Sequence, residues 1–170
     1  DTMEEDCQAS VWPGVSAIYY PKAELPEEIR QLDQIISMLE LERGIAVGTI
    51  AIKPLIETAL GLLNAYELAC ASPRINSYGE TAEGDMTASL GVPYESLKEV
   101  DVLAYPRSEV DLVARALDME HLGRLWVKGP TTIVDFGDPD RMFDAATLSL
   151  QAGFHGQRSA HPASVDPINR

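Results

Sequence analysis

Basic residues are scarce in this chain. Lysine and arginine total 13 against 27 aspartates and glutamates in 170 residues, a formal net charge of −14. That balance excludes non-specific binding to nucleic acid or to an anionic membrane, both of which need clustered positive charge. It also repels anionic substrates at long range, so any anion site must be locally basic or metal-loaded. Cysteine is nearly absent. Cys7 and Cys70 stand far apart, which suits a reducing cytosol at least as well as a disulfide scaffold. No run of about 18 apolar residues suggests a membrane span. The opening "DTMEEDCQAS" is too polar and acidic for a secretory signal. A cytoplasmic protein is therefore expected. There is no Met at position 1, as in a trimmed or partial chain.

Several chemistries lack their signatures. No G-x-G-x-x-G follows the first apolar run and no G-x-x-x-x-G-K-[ST] occurs, which removes support for the nucleotide-binding open sheets. Without H-x-x-H or C-x-x-C a zinc site is not expected. Without G-x-S-x-G a serine hydrolase of the α/β type is not expected. Apolar residues make up 45% and charged residues 24%, as in an ordinary globular domain with a real core.

The remaining pattern alternates. "VSAIYYPK" (15–22) is β-branched and aromatic and reads as a strand. "LPEEIRQLDQIISMLELERG" (25–44) reads as a helix. Pro26, Glu27 and Glu28 suit its first turn, Ile29, Leu32, Ile36 and Leu39 form its apolar stripe, and Gly44 is its stop. "TIAIKPLIE" (49–57) is a second strand. Helical periodicity resumes at Leu60, Leu63, Tyr66 and Cys70, and this stripe is read as core. Pro73 ends that helix ahead of a short strand, and "ETAEGDMTASLGV" (80–92) reads as a glycine-marked loop. A helix over 107–119, a strand over 124–130, a helix over 138–153 with Asp138 as N-cap, and a last strand over 155–162 complete the order. Regular strand–helix alternation means a parallel sheet, either open and doubly wound or closed as a (β/α) barrel. Five strands cannot close an eight-stranded barrel, so a barrel would need roughly three more.

Each predicted strand end carries a polar residue. Lys22 ends the first and Glu57 the second. Glu80, Glu83 and Asp85 follow the third, and His161 ends the last. In a parallel barrel these ends share the face where active sites are built. Glu57, at the point where a strand turns into a helix, is either a dipole-complementing acid or a metal ligand. Asp85 is its natural partner, and Gly84 beside it lets the backbone turn closely. Its plainer role is a loop or N-cap aspartate. Lys22 could form a Schiff base or contact an anion. His161 could act as a base or substrate donor, or be structural.

Four stretches in order carry a resemblance. "YYPKAE" (19–24), "PLIETALGLLNAYELACASPRI" (54–75), "GDMTASLG" (84–91) and "GFHGQRSAHPASVDPIN" (153–169) resemble the citrate lyase beta-subunit-like branch of the HpcH/HpaI aldolase/citrate lyase family. "YPRSEVDLVARALDM" (105–119) resembles the family's helix before strand seven. The resemblance implies an α/β fold, a phosphoenolpyruvate/pyruvate-binding TIM (β/α)8 barrel, of which residues 1–170 cover strands four to eight as one partial-barrel domain. The first three strands, with a substrate-binding arginine, and a C-terminal lid region would lie outside it. An open half-barrel is expected to be unstable alone, because strand edges and inner faces would be unpaired.

The resemblance further implies that Glu57 and Asp85 are Mg²⁺ ligands and that Glu57 also contacts substrate. The loop before Asp85 is about one residue longer than usual, which makes Glu83 a secondary candidate. Gly129 and Pro130 stand where the family often has an acidic residue, and with Lys22 and His161 they complete the candidate substrate contacts. The implied reaction makes or breaks a carbon–carbon bond beside a carbonyl. The implied substrate is a small molecule, either a citryl-, malyl- or citramalyl-CoA-type thioester or a free 2-oxo or hydroxy acid. The implied assembly is a homo-oligomer, a trimer or hexamer. Two other readings are a 2-oxo acid aldolase acting on free acids and a barrel that serves only as a binding subunit.

Overall fold

The computed structural model describes residues 2–78, 83–98, 100–123, 138–154, 156–157 and 161–170. The candidate positions Gly129 and Pro130, the loop acid Glu80 and the strand expected over 124–130 lie outside the described residues.

Helix α1 (Met3–Ser10) covers the acidic N-terminal stretch and buries Cys7. Arg43 anchors it. The guanidinium donates to the carbonyls of Val11 and Gln8 and lies 4.1 Å from the Trp12 ring centroid. Strand β1 (Ala17–Tyr20) runs parallel to β2 (Ala51–Pro54), with Ala17 opposite Ala51 and Tyr20 opposite Pro54. Between them runs α2 (Pro26–Glu42). It starts where expected because Pro26 opens its first turn and Glu28 accepts the N–H groups of Glu24 and Leu25. Its stripe Ile29, Leu32, Ile36 and Leu39 is buried, joined by Ile35. Each such side chain contributes about 1.5–3 kcal/mol of apolar burial. Gly44, at φ 68, ends the helix in a left-handed conformation that a Cβ would oppose.

Along β2 and its flanks Ile50, Ile52, Pro54 and Ile56 are buried, while Ala51, Lys53 and Leu55 are half-buried. The even and odd positions alternate between two sides of the strand, as strand periodicity requires, and the even side is the more deeply buried. A second ladder is parallel throughout, in the order β3 (Ser77–Tyr78), β4 (Glu120–Gly123), β5 (Gly156–Gln157). The ladders adjoin, since Ile52 N–H donates to the Arg74 carbonyl and Lys53 Nζ donates to Ser77 Oγ. Among the described residues strand order follows chain order without reversal. An open doubly wound sheet reverses at a switch point, whereas a barrel winds in sequence.

Four expectations need correction. The helix expected after Glu57 is two short ones, α3 (Ala59–Leu63) and α4 (Ala65–Ala69). They break at Asn64, whose side-chain amide is drawn out to the Glu24 carbonyl at 2.8 Å. The stripe Leu60, Leu63, Tyr66 and Cys70 is not core. All four are exposed, and Leu62, Ala65, Leu68 and Ala69 face inward instead. Close approach of the backbone decides this. A Cβ on Gly61 would sit 2.2 Å from the Ala23 carbonyl oxygen, so the helix presses its glycine-bearing face against the turn after β1. Residues read as a loop form α5 (Glu83–Ser89), stabilised where Thr87 Oγ1 donates to the Gly84 carbonyl. The strand after α6 (Ala104–Ala116) begins at Glu120, ahead of the stretch expected from sequence.

Helix α7 (Pro139–Gln151) agrees with its expected limits, and Asp138 caps it by accepting Arg141 N–H at 3.1 Å. The chain closes on a 3₁₀ turn (Pro162–Ser164) and α8 (Val165–Ile168), which packs on α7. No helix among the described residues is long and apolar enough to cross a membrane.

Candidate active site

The turn after β1 and the segment after β2 build the site together. Two main-chain hydrogen bonds extend the ladder, Leu55 N–H to the Tyr20 carbonyl at 2.8 Å and Ala23 N–H to the Leu55 carbonyl at 3.2 Å. They carry Lys22 beside Glu57. Lys22 has φ 51, a left-handed conformation that costs a lysine about 1–2 kcal/mol. It persists because Lys22 N–H donates to Glu57 Oε2 at 3.1 Å while Ala23 is bonded next to it.

Glu57 is 5% exposed. Among the described residues its one hydrogen bond is the Lys22 amide. An ionised carboxylate has four acceptor positions, and burying it with a single donor is unfavourable unless a cation completes it. Thr58, next in sequence, caps α3 by accepting Gly61 N–H at 3.0 Å, so the helix does not use Glu57 as its cap.

Asp85 lies in the first turn of α5 and is half-exposed. Its Oδ1 is 3.1 Å from Lys22 Nζ. The Asp85 carboxylate, accepting the ammonium's hydrogen bond, holds Lys22 above the ordinary lysine pKa, and Glu57 adds to this. Helix α5 is tied to the Glu57 segment from its other end, where Ser89 Oγ accepts Ala59 N–H at 2.9 Å. Lys22 therefore touches both acids, one through its main chain and one through its side chain.

Three candidates, Lys22, Glu57 and Asp85, thus meet at the carboxyl-terminal ends of β1 and β2. His161 is engaged locally, capping the 3₁₀ turn with Nδ1 accepting Ala163 N–H at 3.1 Å. The side chain of Glu83 is not among those described. No group of three or more His, Cys, Asp or Glu side chains that could hold a metal occurs among the described residues. The set is two hard oxygen donors, which is enough for Mg²⁺, an ion that keeps several waters and completes its octahedron with substrate oxygens. The chemistry of the donors and the one-sided bonding of Glu57 fit such an ion. Ser89 and the Lys22 amide also build the site, and neither a lone serine nor a main-chain N–H carries a signature in the sequence.

The HpcH/HpaI aldolase/citrate lyase family model matches residues 1–162. The chain belongs to that family. Within it, the chain is 29% identical over 167 residues to the citrate lyase subunit beta of Leuconostoc mesenteroides subsp. cremoris, covering 98% of this chain and 52% of that protein. It is 37% identical over 84 residues to the malyl-CoA/beta-methylmalyl-CoA/citramalyl-CoA lyase of Chloroflexus aurantiacus, covering 49% of this chain and 24% of that one. The chain thus spans about half the length of the citrate lyase subunit. Among solved structures, the citrate lyase beta subunit of M. tuberculosis complexed with oxaloacetate and magnesium matches with TM-score 0.62 and 21% identity, covering 91% of this chain and 60% of that one. That likeness gives the fold, an α/β TIM-barrel type. The family placement agrees with the four motifs read in the sequence.

Proposed function

We propose that this chain is part of a Mg²⁺-dependent carbon–carbon lyase. It contributes strands four to eight of a (β/α)8 barrel as a single domain, with Glu57 and Asp85 as the metal ligands. The observation that carries this reading is the pairing at Lys22. A buried carboxylate with one hydrogen bond and a half-exposed one on a separate helix are drawn to the same residue. Family membership supplies the reaction class, and the named relatives supply the substrate class.

The substrate is a β-hydroxy acyl-CoA of the citryl, malyl or citramalyl kind. In cleavage, the hydroxyl proton leaves to a base and the hydroxyl carbon becomes a carbonyl. The bond to the α-carbon breaks, and its electron pair remains as the thioester enolate. When bound, the cation supplies positive charge where negative charge develops on substrate oxygens. Glu57, oriented by the Lys22 amide, and Asp85, carried by α5, would hold it. With a net charge of −14, the chain would need such local positive charge to admit an anionic substrate.

The test is a cleavage assay of the full-length protein over a panel of acyl-CoA thioesters and free 2-oxo acids, with and without Mg²⁺. Turnover that requires Mg²⁺ and is abolished in folded Glu57→Gln and Asp85→Asn proteins is the expected result. Unchanged turnover in either variant would eliminate the ligand roles. Activity confined to free acids would select the aldolase reading, and a correctly folded, metal-loaded protein with no activity the binding-subunit reading.

A further inference from the structure

Lys22 places its charge between Glu57 and Asp85, and it is attached there in two separable ways. Its amide is bonded to Glu57 Oε2 at 3.1 Å, and the ladder on both sides holds it in place. Its ammonium reaches Asp85 Oδ1 at 3.1 Å along a flexible stem that is mostly exposed, with a side-chain relative exposure of 61%. The main chain cannot move without disturbing β1 and β2. The ammonium can move by rotation of side-chain bonds alone.

We infer that the Lys22 ammonium is a displaceable counter-cation of the Glu57–Asp85 pair, which holds Asp85 in the absence of metal and is released toward the substrate's carboxylate when a divalent ion binds. This inference rests on the metal reading of the site and concerns its regulation. Two cations cannot share one Asp85 carboxylate at close range without mutual repulsion. That repulsion weakens the hold of Asp85 on Lys22 when an ion binds, and the Lys22–Asp85 bond correspondingly opposes metal binding. The left-handed backbone at Lys22 is consistent with this. A strained conformation retained beside two carboxylates keeps the residue's amide on one acid and its side chain in reach of the other. Once released from Asp85, the ammonium would be free to pair with an anionic substrate. An enzyme built this way binds metal weakly alone and more tightly with substrate.

The experiment measures Mn²⁺ binding to the full-length protein by calorimetry and electron paramagnetic resonance, without substrate and then with saturating oxaloacetate as the anionic probe. The variants are Lys22→Met and Lys22→Asn. Asparagine tolerates the left-handed conformation better than other residues and guards against misfolding. Because an exposed ion pair is weak, the variants should bind Mn²⁺ alone about 2- to 5-fold more tightly than wild type. With oxaloacetate the order should reverse, because only wild type has the freed ammonium. Equal or weaker Mn²⁺ binding by both folded variants, or no reversal with oxaloacetate, overturns the inference and leaves the metal reading intact. No Mn²⁺ binding by any of the three proteins overturns the metal reading and this inference with it.

Discussion

Arg74 and Glu40 form an ion pair sealed inside the core. Nη2 lies 2.7 Å from Oε2, Glu40 is fully buried, and the Arg74 side chain is 3% exposed. Arg74 Nε also meets Asp33 Oδ1 at 2.5 Å, and Nη1 donates to the Ile50 carbonyl at 2.9 Å. Glu40 accepts the N–H groups of Gly48 and Ile50, each at 2.8 Å. Three elements are joined: α2 through Asp33 and Glu40, the turn into β2, and the segment ahead of β3. The register of β2 sets where Glu57 falls, so this cluster supports the site from below.

Removing one partner of such a pair should be costly. Arg74→Met leaves the buried Glu40 and the half-buried Asp33 without their cation and is expected to destabilise by about 3–5 kcal/mol. Arg74→Lys keeps the charge but cannot serve Asp33, Glu40 and Ile50 together, and should recover only part of that loss. Urea unfolding monitored by circular dichroism measures both. A loss under about 1 kcal/mol for Arg74→Met would show the cluster to be dispensable.

The same cluster predicts the acid limb of stability. Burial pushes the carboxyls of Asp33 and Glu40 up. Hydrogen bonds from Ser72 and Arg74 to Asp33, and from Arg74, Ile50 and Gly48 to Glu40, outweigh this and leave both below the ordinary range. A carboxyl with a depressed folded-state pKa stabilises the protein above its unfolded value and loses that contribution as pH falls through the folded value. Wild type should therefore lose stability below about pH 4. Arg74→Met should lose less over the same interval, because protonation relieves its unpaired charges. The gap between the two proteins should narrow on acidification, and a constant gap from pH 7 to 3 would contradict the assignment.

Gly61→Ala tests the contact between α3 and the turn carrying Lys22. The new Cβ would meet the Ala23 carbonyl oxygen at 2.2 Å, a main-chain atom that cannot rotate away. The expected cost is about 1–3 kcal/mol despite alanine's better helix propensity. Displacement of Ala23 should also disturb the adjoining Lys22–Glu57 hydrogen bond. A rise in melting temperature would mean that the close approach is absent.

The reversed face of α3 and α4 gives a paired prediction. Leu62→Ala, at a buried position, should cost about 2–5 kcal/mol. Leu63→Gln, at a position 80% exposed, should fall within about 0.5 kcal/mol of wild type. The opposite ranking in thermal unfolding would restore the stripe through Leu63 as core.

The amino-acid sequence by itself determined the alternation of strands and helices, the stripe and first turn of α2, the Asp138 cap, and the family motifs. These are local or periodic features. Proline geometry, carboxylate capping and 3.6-residue burial act over neighbouring residues and leave direct marks in the chain. It also singled out Glu57, because an acid directly after a buried apolar run is uncommon. Tertiary structure decided the rest. Which face of α3 turns inward depends on a carbonyl at Ala23, some 38 residues before Gly61 in the chain. Whether residues 83–89 fold as a helix depends on weak local preferences that packing and the Ser89–Ala59 bond tip. The joining of Glu57 and Asp85 through Lys22 required three separate segments to meet, and the contact to Glu57 comes from a main-chain amide, a group every non-proline residue carries and no sequence pattern distinguishes.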